Sequence, residues 1–355
     1  MSLATLPAAA ETGRAVVYTP RGYAPGDPAW RPRARELRAD AADLRALGVD
    51  LVATWASPRV LAPVCRHLKR HGLPSVVLGV ADPGDAAEVR AAAHARRCAD
   101  GYAVGSGGLG TRYDRDALRA AVTRLRATGR PVVVREAADV LATDAVLRAL
   151  GDEPSPLAFP SADEGSQAAC GIAIADYRRV EQTLPAGQIL RLGASGLAAA
   201  GGGVANPSYQ RAYFLCLSSR GVPAAMFEAY DQPWRTTPVG PHAGLFRADG
   251  TPRRFAQELL RLTLTATLEP DGRLHGRVAP AVGARWRVVP WSHGTTWAPG
   301  VPVPIERDGR WQAAVAPGRP WAATLEPRDA PPPVASAPPP AVDEERVYAV
   351  VQSPR

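Results

Sequence analysis

The first two-thirds of this chain alternates short apolar runs with longer segments of helical periodicity, and does so eight times. The runs are RAVVYTP (14–20), DLVATWA (50–56), PSVVLGVA (74–81), GYAVGS (101–106), PVVVRE (131–136), PLAFPS (156–161), QILRLGA (188–194) and PAAMFEAYD (223–231). The helical segments between them cover 33–47, 58–71, 84–98, 114–129, 139–150, 166–183 and 206–220. Strand-length runs separated by helices build parallel sheets covered by helices. Eight such units over about 250 residues match a closed (β/α)8 barrel. An open doubly wound sheet would ask for a glycine-rich phosphate loop after the first strand, and YTPRGYAPGDP is not one. The fold class is therefore α/β, a TIM barrel over 13–261 preceded by an extension over 1–12.

The pattern then changes. Residues 262–327 read as strands and turns, with Asp271–Gly272 and Asp308–Gly309 each between β-type runs, a hairpin signal. A small β-appendage is expected there. Residues 328–355 open on a proline-rich stretch that reads as disordered or an extended spacer, and the closing RVYAVVQSPR as either a docking strand or a tail.

Charge narrows the partners. The formal net charge is +8, but the basic residues are scattered beside Asp and Glu, as in RPRARELRADAADLRAL. With no Lys/Arg block interleaved with aromatics, this is a solvated arginine-rich surface and not a nucleic-acid site. No stretch approaches the ~20 apolar residues that cross a bilayer. MSLATLPAAAETG lacks the basic and apolar regions of a signal peptide, so the expectation is a soluble cytoplasmic protein. Cys65, Cys98, Cys170 and Cys216 stand apart in Ala/Leu-rich helical stretches and read as buried thiols. The six histidines are dispersed, so neither a metal site nor a cofactor is expected.

Chemistry in such a barrel sits at the C-terminal ends of the strands. Those ends carry Tyr18, Arg21 and Tyr23; Trp55; Asp82; Ser106 and Gly107; Arg135 and Glu136; Asp163 and Glu164; Ala194 and Ser195; and Glu228, Tyr230, Asp231 and Trp234. Aromatic rings among carboxylates and arginine suit a sugar: rings stack on pyranose C–H faces, and charged groups bond hydroxyls. Tyr18, Tyr23, Trp55 and Trp234 are equally readable as stacking platforms or as plugs of the barrel mouth. The tryptophans of the appendage, Trp286, Trp291, Trp297, Trp311 and Trp321, are readable as a sugar-binding face or as the packing of a compact β-unit.

Several segments together resemble glycoside hydrolase family 17, the β-1,3-glucanase-type family. AVVYTPRGYAPGDP is similar to its first strand, VVLGVAD to its third and VVVREAADVL to its fifth; AAMFEAYDQPWRTTPVGPHAGLFRADGTPRRF (224–255) is the strongest match, and Asn206, Pro207, Ser208 and Gln210 fit a helix of that family. The likeness covers roughly 14–256 and is dense in the last third. It implies a retaining glycosidase with an acid/base Glu after the fourth strand and a nucleophile Glu after the seventh. This chain departs at both places: YAVGSGGLG puts Ser106–Gly107 at the first, and RLGASGLAAAGGG puts Ala194 at the second. Retaining hydrolysis needs two carboxyls roughly 5 Å apart, and neither Gly nor Ala supplies one.

The expectation is thus a glucanase-like pseudoenzyme. It would bind a β-glucan or other polysaccharide with Tyr18, Arg21, Tyr23, Trp55, Glu136, Glu228, Tyr230, Asp231 and Trp234 as candidate contacts, or scaffold proteins of polysaccharide synthesis or export. Two alternatives stand beside it: an active glycosidase or transglycosylase using Glu136 and Glu228 as displaced carboxylates, and a protein-interaction module.

Overall fold

The computed structural model describes residues 14–25, 27, 29–55, 58–161, 163–186, 188, 190–236, 240–260, 263–269, 273–279, 286–293, 297–306, 308–315, 321–327 and 348–351. The expected extension over 1–12, the Asp271–Gly272 turn and the proline-rich stretch lie outside these residues. The chain forms two compact units, 1–248 and 249–355.

The first unit is built on β1 (Arg14–Tyr18), β2 (Val49–Thr54), β3 (Ser75–Val80), β4 (Gly101–Val104), β5 (Val132–Val134), β6 (Glu153–Pro154), β7 (Leu157–Ala158), β8 (Leu192–Ser195) and β9 (Ala224–Met226). They form one sheet in the order β6-β5-β4-β3-β2-β1-β9-β8-β7, parallel in every pairing. Its two ends, β6 and β7, are halves of one stretch. Ser155 N–H donates to the Val134 carbonyl and Leu157 N–H to the Glu136 carbonyl on one side, while Gly193 N–H donates to the Pro156 carbonyl on the other. Nine strands therefore make eight staves, and the sheet closes on itself.

Side-chain alternation explains why the runs are apolar throughout. One set, including Val17, Ala53, Val77, Ala103, Val133, Leu157, Ala194 and Ala225, fills the barrel, with Phe227 and Trp55 packed on it. The other set, including Val16, Val52, Leu78, Tyr102 and Val132, is buried as well, as expected where helices cover the outside of a parallel sheet.

The helices are α1 (Ala34–Ala46), α2 (Pro58–Arg70), α3 (Ala86–His94), α4 (Arg115–Arg126), α5 (Ala138–Thr143), α6 (Ala145–Arg148), α7 (Ser166–Glu181) and α8 (Pro207–Ser219). Asp85, Asp114 and Asn206 cap α3, α4 and α8 by accepting from Ala87, Ala117 and Tyr209 N–H at 2.7, 2.8 and 2.9 Å. In α4, Leu118, Ala121, Val122 and Leu125 are the buried face, the 3-4 spacing that an amphipathic helix requires.

The cysteines depart from the buried-thiol reading. Cys65 pairs with Cys98 and Cys170 with Cys216, with Cα separations of 5.9 and 6.3 Å. The partners are 33 and 46 residues apart in sequence and meet because α2 packs on α3 and α7 on α8.

The second unit, which begins at Asp249, contains α9 (Arg254–Leu260). Its strands are β10 (Thr263–Leu268), β11 (Arg273–Ala279), β12 (Trp286–His293), β13 (Trp297–Pro299), β14 (Val303–Pro304), β15 (Arg310–Ala314), β16 (Trp321–Pro327) and β17 (Tyr348–Val351). They make two sheets, β10-β11-β15 and β13-β12-β16-β17, with β14 paired to β12. One core of Leu264, Leu274, Val278, Val288, Ile305, Trp311 and Leu325 joins both.

The expected hairpin at Asp308–Gly309 takes a different form. Gly309 has φ +88° and the Glu306 N–H donates to the Arg310 carbonyl, but the arms part: β14 pairs with β12 and β15 with β11. The turn carries the chain from one sheet to the other. Of the appendage tryptophans, Trp311 lies in the core, and Trp291 is buried with its indole N–H on Thr324 Oγ1 at 3.0 Å. The side chains of Trp286, Trp297 and Trp321 lie outside the described ones. The segment Tyr348–Val351 docks as a strand, antiparallel to β16.

Candidate functional site

The strand ends present two arrangements. The first lies where β1 and β9 meet α1. Asp40, fully buried on α1, accepts from the Tyr18 hydroxyl at 2.7 Å and from Arg21 Nε and Nη2 at 2.9 and 2.5 Å. Asp43, one turn on, accepts from Arg21 Nη2 at 3.3 Å and from the Tyr230 hydroxyl at 2.9 Å. The Arg21 guanidinium lies 4.9 Å from the Tyr230 ring centroid. Burial, reinforced by Asp40 and Asp43, pushes both phenols far above the ordinary tyrosine range, so both are hydrogen-bond donors at neutral pH. Tyr18, Arg21 and Tyr230 are thus brought together, with their polar atoms directed at α1.

The second arrangement fills the barrel mouth. Arg135, at the end of β5, has no exposed surface; its Nε donates to the Gly105 carbonyl at 3.0 Å, and its guanidinium lies 4.2 Å from the Trp55 ring centroid. Among the described residues neither terminal nitrogen has a hydrogen-bond partner, and burial lowers the guanidinium pKa to about 10. Gly79 makes room for it: a methyl there would collide with the Thr54 carbonyl and stand 3.1 Å from Arg135 Nη2. Trp55 meets Phe227 edge-on at 5.6 Å, and Phe159 meets Phe227 at 5.0 Å. The Arg235 guanidinium lies over the Phe227 ring at 4.7 Å and 5.1 Å from the Trp234 ring centroid. Trp234 continues edge-on to Tyr23 at 5.8 Å, and Tyr23 to Trp30 at 5.0 Å. Trp55 is half-buried, while Phe159 and Trp234 are 49% and 37% exposed and give this stack an accessible face.

The carboxylates of the mouth are enclosed. Glu136 is 1% exposed; it accepts a short hydrogen bond from the Tyr113 hydroxyl and another from the Leu109 N–H, and burial raises its pKa. Tyr113 in turn accepts from the Ser106 and Gly108 N–H groups at 2.8 and 3.1 Å, which ties Glu136 to the β4–α4 loop. Glu228 is fully buried and pairs with Arg235 at 3.1 Å; burial raises its pKa to about 8, partly offset by Arg235. Asp231 accepts from the Gly244 N–H at 2.9 Å and so holds the returning loop 243–246. Asp82 accepts from the Gly84 N–H at 2.9 Å within its own turn. Asp163 and Glu164 belong to a turn closed by Ser161.

The two positions that the family likeness singles out differ from each other. Gly107 is exposed on the β4–α4 loop with φ +74°, and an added Cβ would stand 3.3 Å from Leu157 Cδ1. That left-handed conformation is open to glycine and strained for a glutamate. Ala194 is fully buried in the apolar barrel core, paired in register with Leu157. Beside it, Ser195 donates to the Ala158 carbonyl at 2.8 Å.

Phe159, Phe227 and Arg235 complete the mouth without having been singled out in the sequence. The inward alternation of the sixth and eighth staves could have marked the two phenylalanines; Arg235 comes from a loop, where no periodicity points to it. Glu88 is a further buried carboxylate, accepting from the Ala81 and Asp82 N–H groups at 2.7 and 3.2 Å, with its pKa raised to about 7 by burial. Among the described residues, no cluster of His, Cys, Asp and Glu could hold a metal ion, and no helix is long and apolar enough to cross a membrane.

No family model matches the chain, and no curated protein does. Solved structures do. A glycoside hydrolase family 17 β-1,3-glucanosyltransferase from Rhizomucor miehei aligns over 68% of this chain and 96% of its own, with 18% identity and a TM-score of 0.57. A β-1,3-glucanase and pollen allergen of Cryptomeria japonica aligns over 68% and 97%, with 14% identity and a TM-score of 0.51. A β-glucuronidase from an uncultured Clostridium aligns over 70% of this chain and 49% of its own, with 12% identity and a TM-score of 0.52. At such identities the likeness is one of fold, and the fold of this chain is that of the glucanase-like glycoside hydrolase barrels.

Proposed function

We propose that this protein is a non-hydrolytic glucanase-like barrel that recognises a polysaccharide of the β-glucan class through the aromatic face of its mouth. The observation that carries the reading is the pair Gly107 and Ala194: a left-handed glycine and a methyl group in an apolar core occupy the two positions at which the sequence resemblance implies carboxyls. The remaining carboxyls of the mouth support it. Glu136 is committed to Tyr113 and Glu228 to Arg235. The rings of Trp55 and Phe227 are each met by a guanidinium, Arg135 and Arg235, which can serve neither as the acid nor as the nucleophile of hydrolysis. The exposed faces of Phe159 and Trp234 provide the stacking surface. A binding barrel of this kind would serve in polysaccharide synthesis or export, holding a chain or a partner without cutting it.

The paired cysteines favour an oxidising compartment over the cytoplasm, because disulfides persist where thiols are not kept reduced. Thiol titration of protein isolated from its native source would find no free cysteine; four free thiols would return the cytoplasmic reading.

The purified protein is expected to release no reducing sugar from laminarin-type or other β-glucans, while binding their oligosaccharides in calorimetry. A second reading has one observation in its favour: Glu136 and Glu228 both have the raised pKa that a general acid needs. Turnover that disappears in Glu228→Gln would establish that reading and end the first.

A further inference from the structure

A second concave site lies at the opposite end of the barrel from the mouth. Each helix returns the chain from the end of one strand to the start of the next, so the helix C-termini gather at the strand N-termini. There the late turns of α2, α3 and α4 enclose a groove of about 730 Å³. Of its eleven lining residues four are arginines, Arg66, Arg96, Arg97 and Arg124; His94 joins them, and none is acidic. All four arginines are exposed, and none forms an ion pair among the described residues. The carboxylates nearest in sequence to Arg97 and Arg124 are already engaged, Asp100 by Lys69 at 3.0 Å and Asp116 by Arg119 at 2.8 Å. Segments 58–71 and 117–131 contain no acidic residue at all. The positive field is felt by a neighbour: burial, then Arg70, His71, Arg66 and Arg38, hold His67 below its ordinary pKa. The disulfide between Cys65 and Cys98 ties α2 to the segment that follows α3, which fixes Arg66 relative to Arg96 and Arg97.

We propose that this groove binds a ligand carrying two or more adjacent oxyanion groups, such as a phosphoanhydride or a short uronate chain. Guanidinium forks pair with planar or tetrahedral oxyanions through two parallel bonds, and the volume falls within the range of small-molecule pockets. One anionic group would leave most of the four cations unmatched; several groups in a row match them. The lining has no Trp, Tyr or Phe on which bases could stack, and its aliphatic residues are all alanine, too short to enter a bilayer. Those two features set nucleic acid and membrane aside.

The test is calorimetry on the full chain with tripolyphosphate and with trigalacturonate, in stepped sodium chloride. The expected result is one-to-one binding of at least one probe, weakening as salt rises. The Arg96→Ala/Arg97→Ala variant should lose roughly tenfold or more in affinity, whereas Arg178→Ala/Arg220→Ala, which removes two exposed arginines from α7 and the end of α8, should leave it unchanged. The stronger probe identifies the source of the oxyanions. The proposal is overturned by binding of neither probe, by equal losses in the two variants, or by tighter binding of a single-stranded RNA or of phosphatidylglycerol vesicles than of both probes.

Discussion

The two sides of the barrel rim are held by different physics. Where β1 and β9 meet α1, five polar side chains, Tyr18, Arg21, Asp40, Asp43 and Tyr230, form a buried network of hydrogen bonds and charges. Around β8 the interior position is Ala194, and its flanking helices α7 and α8 are joined by the disulfide of Cys170 and Cys216. The first side is held in place by charge, the second by apolar packing and a covalent link. Buried polar side chains thus fix the strand ends on the first side, whereas on β8 the interior position is a methyl group and the Ser195 hydroxyl beside it is tied to the Ala158 carbonyl.

The largest effect should come from unbalancing the network. Asp40→Ala would take from the largely buried Arg21 the carboxylate that it meets at 2.5 Å, and would strip the Tyr18 hydroxyl of its acceptor. Breaking a buried pair from one end costs about 3–5 kcal/mol. Urea denaturation should show that loss, while Tyr18→Phe, which keeps the Arg21–Asp40 pair, should cost only about 1 kcal/mol. Equal losses would mean that the hydroxyl, and not the charge, holds this side.

Cutting the covalent link should come next. Cys170→Ser/Cys216→Ser is expected to cost about 2–4 kcal/mol in the oxidised protein. The Cys65–Cys98 pair closes a shorter loop, 33 residues of separation against 46, so its removal should cost about 0.3 kcal/mol less on chain entropy alone. A loss from the Cys170–Cys216 pair well below that of the other would show that α7 and α8 hold together without their link, and the contrast between the two sides would weaken.

These contrasts were unevenly legible in the sequence. Seven of the staves could be read because parallel strands covered on both faces leave uninterrupted apolar runs. The sixth was displaced: it begins at Glu153 and is broken at Ser155–Pro156, and Pro156 has no N–H to give to the ladder. Positions at the strand ends were readable, because the fold dictates them. The partners that decide what those residues can do were not. Tyr113 reaches Glu136 and Arg235 reaches Glu228 from loops, and Asp40 and Asp43 reach Tyr18 and Tyr230 from the face of α1. Cysteine pairing was hidden for the same reason, since it depends on which helices become neighbours.

The mouth offers a pH test of the same contrast. Glu228 has a folded pKa of about 8 against an ordinary 4.5, so the native state keeps a proton that the unfolded chain gives up. Its contribution to stability is complete below about pH 4.5, declines as pH rises and is gone above about pH 8. Glu88, at about 7, adds a decline of the same sign. Glu228→Gln should flatten the profile, gaining about 1–3 kcal/mol relative to the parent between pH 5 and 9. Parallel profiles for the two proteins would show that Arg235 keeps Glu228 ionised throughout, and the mouth would then be as firmly charge-paired as the α1 side.

The smallest effect on stability, and the one most specific to binding, belongs to Trp234. Its ring is 37% exposed, and its contacts are Tyr23, Arg235 and the Gln232 side chain, which accepts from the indole N–H at 2.8 Å. None of these is part of the α1 network. Trp234→Ala should therefore cost no more than about 1 kcal/mol of stability, yet weaken a laminari-oligosaccharide severalfold, because it removes one of the exposed rings on which a pyranose face could lie. Asp40→Ala, compared at a temperature where it remains folded, should leave that affinity nearly unchanged. The division of labour fails if the order is reversed, with binding sensitive to Asp40 and indifferent to Trp234, since the charged side would then be the one that meets the ligand.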